Sequence, residues 1–222
     1  MYPVYMERLS RAASGLTKEE YEILARLTTP IKIQDFLDSI PMNWEKGGDT
    51  HMSPRSVLRD GKAHCIEGAL LAAAALWING EVPIVTSLYA RPRKNDFDHV
   101  VTLYKRGGRY GAISKTNHAS IRFRDPVYRT PRELVSSYFH EWFLNSTGEK
   151  TLEHYSKPLD MRRLGVGWIT AEEDLWDVSD ALDAQPQYSL VPKGNWRHVR
   201  RADSMELKAG MIIEWEESDP RT

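Results

Sequence analysis

Cys65 is the only cysteine in this chain of 222 residues, and its surroundings favour reactivity. It lies in Gly61-Lys62-Ala63-His64-Cys65-Ile66-Glu67-Gly68-Ala69-Leu70, where a loop gives way to a helical run that continues through Leu71-Ala72-Ala73-Ala74-Ala75-Leu76-Trp77. A thiol in the first turn of a helix faces backbone N–H groups with no intrahelical acceptor and the positive end of the helix dipole. Both favour the thiolate, which is the nucleophilic form. A histidine, His99, sits in Asp98-His99-Val100-Val101-Thr102-Leu103-Tyr104, a stretch with strand character. A single Cys with a His elsewhere in the chain is a candidate nucleophile and base. The plain alternatives are a small buried hydrophobe at Cys65 and a satisfied core histidine at His99.

The elements that must bring these two together are legible in the punctuation of the chain. Thr17-Lys18-Glu19-Glu20 is a capping box, predicting a helix to about Arg26. Thr29-Pro30 starts another, with Ile33, Phe36, Leu37 and Ile40 on one face. Ser53-Pro54 opens a short helix that Gly61 ends. The Cys65 helix then runs to Asn79-Gly80. Strands are expected over Pro83–Ala90, Asp98–Tyr104 and Arg109–Ser114, the last two joined by a hairpin turn at Arg106-Gly107-Gly108. Lys115–Asp125 reads as irregular or a further short strand. Thr130-Pro131-Arg132-Glu133 predicts a helix carrying Leu134, Tyr138, Phe139, Trp142 and Phe143 and ending before Gly148. Tyr155–Leu164 reads as a basic connector, and Thr170-Ala171-Glu172-Glu173 caps a helix or turn through about Leu182. The expected division is a core over 1–184 and a C-terminal extension over 185–222 packed on it, with only Met211–Trp215 strand-like.

The hairpin has a consequence for the site. A residue at the end of the third strand lies beside His99, and the fifteen positions from His99 to Ser114 are about what two short strands and a turn require. A thiol, an imidazole and a third polar group that fixes the ring make a nucleophilic triad.

With these pieces in order, the chain resembles the transglutaminase-like branch of the papain-type Cys-His-Asp fold, in a bacterial-type form. The resemblance covers Thr50–Thr116. It is carried by Asp60-Gly61-Lys62-Ala63-His64-Cys65, by Asn79-Gly80-Glu81-Val82-Pro83 after the helix, by Asp98-His99-Val100-Val101, and by Gly107-Gly108-Arg109-Tyr110-Gly111-Ala112-Ile113-Ser114-Lys115-Thr116. It implies an α+β fold, with N-terminal helices including the Cys65 helix packed on an antiparallel sheet, and a C-terminal helical and irregular extension. The family usually has Asp at the third position, where this chain has Ser114. Serine accepts a hydrogen bond from the ring but carries no charge to stabilise an imidazolium. Asn117 is a second candidate for that role. Asp98, next to His99, points to the opposite face in a strand. The resemblance also implies an oxyanion hole from the Cys65 N–H and an upstream donor. Asn43 and Trp44 are the candidates, beside the plain reading of Trp44 as core.

Composition sets the boundaries. A net charge of -1 gives no bulk attraction to nucleic acid or to an anionic membrane, and the cluster Arg197-His198-Val199-Arg200-Arg201 is too small to change that. Arg122, Arg124, Arg129 and Arg132 read first as a solvated face, and otherwise as a site for an acidic substrate group. No apolar run approaches the ~20 residues of a membrane span, and the N-terminus lacks the pattern of a signal peptide. One cysteine cannot form an internal disulfide, so a cytoplasmic protein is expected. His51, His64, Cys65 and His99 match no compact zinc spacing, and no calcium-type acidic loop stands out. No cofactor and no metal are expected. The predicted function is cysteine-dependent acyl transfer on a peptide, protein or small amide, with hydrolysis favoured over cross-linking. The rival is a catalytically inactive binding or scaffold module of the same fold. The sequence sets neither the substrate nor the oligomeric state.

Overall fold

A computed structural model describes residues 8–92 and 96–217. The fold is α+β. Helices α1 (Arg11–Ser14), α2 (Lys18–Arg26), α3 (Pro30–Ser39), α4 (Pro54–Asp60) and α5 (Cys65–Ile78) come first. Strands β1 (Ile84–Ala90), β2 (His99–Arg106), β3 (Arg109–Ile113) and β4 (Arg124–Tyr128) follow. Then come α6 (Pro131–Ser136), β5 (Leu152–Ser156), β6 (Leu159–Asp160), α7 (Trp176–Asp183), β7 (Gln187–Ser189) and α8 (Ser204–Gly210). The strands form one antiparallel sheet in the order β4-β3-β2-β1-β5-β7, with β6 also on β1.

The helix starts are made by their caps. Thr17, Thr29 and Ser53 each accept a backbone N–H three residues on, and Pro30 and Pro54 occupy first helical positions. Gly61 ends α4 at φ 66°, a left-handed turn that glycine adopts without steric cost. Helix α5 is apolar on every side and almost wholly buried, which suits a central helix. Leu70, Leu71 and Leu76 are fully buried there, each worth roughly 1.5–3 kcal/mol in apolar area removed from water. Asn79 seals its end, donating to Ala75 O and to the Leu24 and Leu27 carbonyls that finish α2.

One face of the sheet packs on α5 through Val85, Val100, Tyr104 and Ile113. The other face, with Leu88, Val101, Leu103 and Ala112, is covered by Leu134, Val135, Tyr138 and Trp142. Two glycines at positive φ, Gly107 and Gly108, turn β2 into β3 and pair Arg106 with Arg109. Gly68 sets the approach of α5 to the sheet. A Cβ there would stand 2.4 Å from Lys115 Cβ, so only glycine lets the first turns of the helix come this close to the end of β3.

Four sequence expectations are corrected. The helix from Pro131 stops at Ser136 instead of running toward Gly148, because the Ser136 and Ser137 hydroxyls bond back to Arg132 and Leu134 carbonyls and compete with the ladder. Tyr138 and Trp142 still enter the core, from turns. The connector at Tyr155–Leu164 is partly sheet, since the end of β5 and β6 pair with β1 before a 3-10 turn over Met161–Leu164. The helix expected from Thr170 begins only at Trp176, after a segment in which Asp174 and Leu175 bond to the His51 backbone. Met211–Trp215 is no strand: Ile213 makes one isolated bridge to His118. Within 185–217, β7 is the edge strand against β5, and Trp215 is buried. No helix among the described residues is long and apolar enough to cross a membrane.

Candidate active site

Cys65 is the first residue of α5 and remains partly open to solvent. His99 is the first residue of β2 and is buried. Ser114 follows the last residue of β3 and is buried beside it. The antiparallel register, Thr102 opposite Ile113, carries Ser114 back toward the start of β2. His99 Nε2 lies 2.8 Å from Ser114 Oγ. The ring edge also meets Trp142, with centroids 6.1 Å apart.

The hydrogen bonds fix the tautomer of His99. Ser114 Oγ donates its one proton to the Ile121 carbonyl at 2.7 Å. It therefore accepts from His99, so Nε2 carries a proton. Nδ1 is left as the basic nitrogen. The ring stands near enough to the Cys65 thiol to lower it, and a thiol–imidazole proton transfer needs the two to close to hydrogen-bond distance.

Ser114 is itself held. Gln34, buried on α3, donates from Nε2 to the Ser114 carbonyl at 2.8 Å and accepts the Ser114 N–H at 3.0 Å. Ile121, which takes the hydroxyl proton, has φ 61°. A β-branched residue in the left-handed region is strained by about 1–3 kcal/mol. Glu141 holds it there by accepting the Ile121 N–H at 2.9 Å, and Arg124 pairs with Glu141.

A second imidazole touches the sulfur. His64 Nδ1 lies 3.9 Å from Cys65 Sγ. Its Nε2 faces the Thr50 carbonyl at 2.8 Å, Glu67 at 3.3 Å and Glu45 at 3.4 Å. Glu67 is fully buried at the third position of α5. It accepts from the His64 N–H, the Met52 N–H, the Thr50 hydroxyl and the Asn43 amide. Burial pushes its carboxyl up, but these donors and the His64 ring hold it below the usual range. Burial likewise pushes the Cys65 thiol up, but hydrogen bonds from His64 and His99 and their charge prevail and bring it to about 5. Burial works against the proton on His64, yet its Cys65 and Glu67 partners raise it to about 11.

The other predicted positions divide. Asn117 is engaged elsewhere: its side-chain amide donates to the Trp215 carbonyl at 3.3 Å, and its backbone carbonyl accepts the Glu214 N–H. Asn43 commits its amide to Glu67 and Thr50 and its side-chain carbonyl to the Glu45 N–H, so it has no donor to spare for an oxyanion. Trp44 differs, since its Nε1 is buried with no partner among the described residues. It lines a hollow of about 360 Å³ with Thr50, Met52 and Asp174. Asp98 accepts the Ala90 N–H. Arg122 and Arg124 are ion-paired with Glu214 and Glu141, and Arg132 donates to the Ser189 and Leu190 carbonyls, which makes them structural bonds. No group of three metal-ligating side chains forms among the described residues.

Sequence reasoning missed Gln34 and the contact of His64 with sulfur, and left Glu67 open between a surface position and one behind the site. The pattern His64-x-x-Glu67 has cap-to-third-position spacing, which announces that Glu67 bonds back to the His64 N–H. Gln34 sits next to the apolar stripe of α3, where a buried amide must find partners.

No protein-family model matches the chain, and no curated protein matches it. Among solved structures, Legionella pneumophila LapG is similar over 81% of this chain and 97% of its own, with 13% identity and a TM-score of 0.40. EGTA-treated LapG from the same organism is similar over the same shares, with 11% identity and a TM-score of 0.40. The chemistry of the site rests on its own geometry.

Proposed function

We propose that this chain is a cysteine-dependent acyl-transfer enzyme of transglutaminase-like type, acting on an amide of a peptide, a protein or a small molecule. The observation that carries the reading is a cysteine, partly open to solvent as a residue, at a helix N-terminus, its thiol lowered by a nearby histidine whose tautomer is fixed by Ser114. His99 Nδ1 takes the thiol proton, and Cys65 Sγ adds to the carbonyl carbon. The oxyanion is met by the N–H groups at the start of α5 and by Trp44 Nε1. The C–N bond breaks as His99 returns its proton to the leaving amine. Water then attacks the thioester, giving up a proton to His99, and the C–S bond breaks to release the acid and the thiolate. Hydrolysis is preferred to cross-linking because nothing in the chain marks a dedicated amine site.

The rival, a non-catalytic binding module, is favoured by one feature, the uncharged Ser114 behind His99. Iodoacetamide labelling across pH separates the two. An enzyme has a Cys65 that reacts faster at about pH 6 than a free cysteine, whose thiol ionises near 8.5. Turnover is sought by mass spectrometry on a casein digest, reading cleavage and deamidation, and Cys65→Ala must abolish it with the fold intact. A thiol no faster than free cysteine, with no product, would sink the enzyme.

A further inference from the structure

The expected carboxylate is missing behind His99, and one stands behind His64 instead. The geometry points to His64 as a second catalytic imidazole, a fixed cation that holds the Cys65 thiolate while His99 moves the proton. The inference deepens the acyl-transfer reading and rests on it for its catalytic meaning, but its first readout needs no turnover.

Three observations carry it. First, every partner of His64 Nε2 is an acceptor: the Thr50 carbonyl, Glu67 and Glu45. That nitrogen must carry a proton. Nδ1 then faces sulfur, and what it holds there is decided by the charge around it. Second, Glu67 is a fully buried carboxylate whose other donors, Asn43, Thr50, Met52 and the His64 N–H, are all neutral. A buried anion needs a counter-charge, and the His64 ring is the one side chain among these contacts that can carry it. Third, the groups facing His64 are known from every side. Cys65 and Glu67 come from α5, Glu45 from the loop before α4, and His51 from the same loop with its ring centroid 6.0 Å away. Two carboxylates outweigh one imidazole. Burial, and then the charge of His64, lower the hold of His51 on a proton.

The division of labour follows. The thiol proton passes from Sγ to His99 Nδ1, and the sulfur stays anionic beside His64 Nδ1–H. His64 never gives its proton up, so it meets the thiolate before attack and again when the C–S bond breaks.

The test compares iodoacetamide alkylation of Cys65 in the wild type, His64→Gln and His99→Gln across pH. His64→Gln should slow alkylation at about pH 6 by at least tenfold, since a thiol that ionises at about 5 must rise by about two pKa units to lose that much thiolate there. His99→Gln should slow it less while abolishing turnover. The inference is overturned if His64→Gln stays within about twofold of the wild type, or if His99→Gln loses more. Should His64→Gln fail to fold, ¹⁵N-histidine spectra of the intact wild type decide. Both His64 ring nitrogens protonated from about pH 6 to about pH 9 supports the fixed cation, and a neutral ring at about pH 8 refutes it. The alkylation pattern above without turnover on any amide would remove the acyl-transfer reading and leave the ion pair standing.

Discussion

Ser114 Oγ lies 2.8 Å from His99 Nε2 and can only accept there, because its single proton goes to the Ile121 carbonyl 2.7 Å away. One hydroxyl thus sets which ring nitrogen is basic. Ser114→Ala removes that choice and leaves the His99 N–H and the Ile121 carbonyl without partners. We expect about 1–3 kcal/mol of lost stability in urea unfolding. We expect kcat/KM to fall roughly 10²-fold, at the low end for a general base. Ser114→Asp should not rescue it, since a carboxylate cannot donate to Ile121 and would face that carbonyl acceptor to acceptor. Full activity in Ser114→Ala would show that the ring is oriented by something else.

The ion pair predicts a stability plateau. Folding lowers the Cys65 thiol from 9.0 to about 5 and raises His64 from 6.5 to about 11. The cysteine contribution is full above 9.0 and fades as pH falls to about 5. The histidine contribution is full below 6.5 and fades as pH rises to about 11. Between 6.5 and 9.0 folded and unfolded chains bind the same number of protons on this pair, so the two slopes cancel. Stability of the wild type relative to the double variant H64Q/C65A should be flat over that window and decline on both sides. A difference that climbs steadily through neutral pH would mean that His64 titrates normally.

Gly68→Ala sets a helix gain against a clash. Alanine favours a helix interior by about 1 kcal/mol over glycine. The new Cβ, however, would meet Lys115 Cβ at 2.4 Å and Cγ at 3.1 Å, close to the backbone and hard to displace. Lys115 is pinned by Nζ bonds to the Leu37 and Ile40 carbonyls. Overpacking of this kind costs about 1–3 kcal/mol, so the clash wins. The net expectation is a lower melting temperature and slower Cys65 alkylation, because α5 moves away from the end of β3, which Ser114 follows. A more stable Gly68→Ala protein would show that helix and strand slide freely.

These pieces also show what a sequence displays and what it conceals. The caps at Thr17, Thr29 and Ser53, the turn at Gly107-Gly108 and the apolar α5 are local signals, each written within a few residues, and they place Cys65 and His99. The short span from β2 to β3 was enough to bring Ser114 to His99. What local pattern does not carry is partnership across the fold. Gln34 reaches Ser114 across eighty positions. Strand β5 has a mixed burial pattern, and only its pairing with β1 and β7 makes it a strand. Asn117 looked like a site residue because it stood three positions from Ser114, but its amide goes to the Trp215 carbonyl. Asn43 was a plausible donor until a buried Glu67 required it.

Trp44 separates stability from function more cleanly than any other position. Its Nε1 is buried with no acceptor among the described residues. An unsatisfied buried donor costs about 1–3 kcal/mol in the resting protein. Chains tolerate such a cost where a ligand will supply the missing acceptor, and an oxyanion formed during acyl transfer is one. Trp44→Phe keeps most of the ring and deletes the N–H. Removing a donor that bonds to nothing relieves the resting protein, so unfolding should occur at an equal or higher urea concentration. Removing one oxyanion donor should lower kcat about 10²–10³-fold with little change in KM. Cys65 alkylation by iodoacetamide, which forms no oxyanion, should keep its wild-type rate. A Trp44→Phe protein that is destabilised and fully active would return Trp44 to the role of a packing residue and leave the oxyanion to the N-terminus of α5 alone.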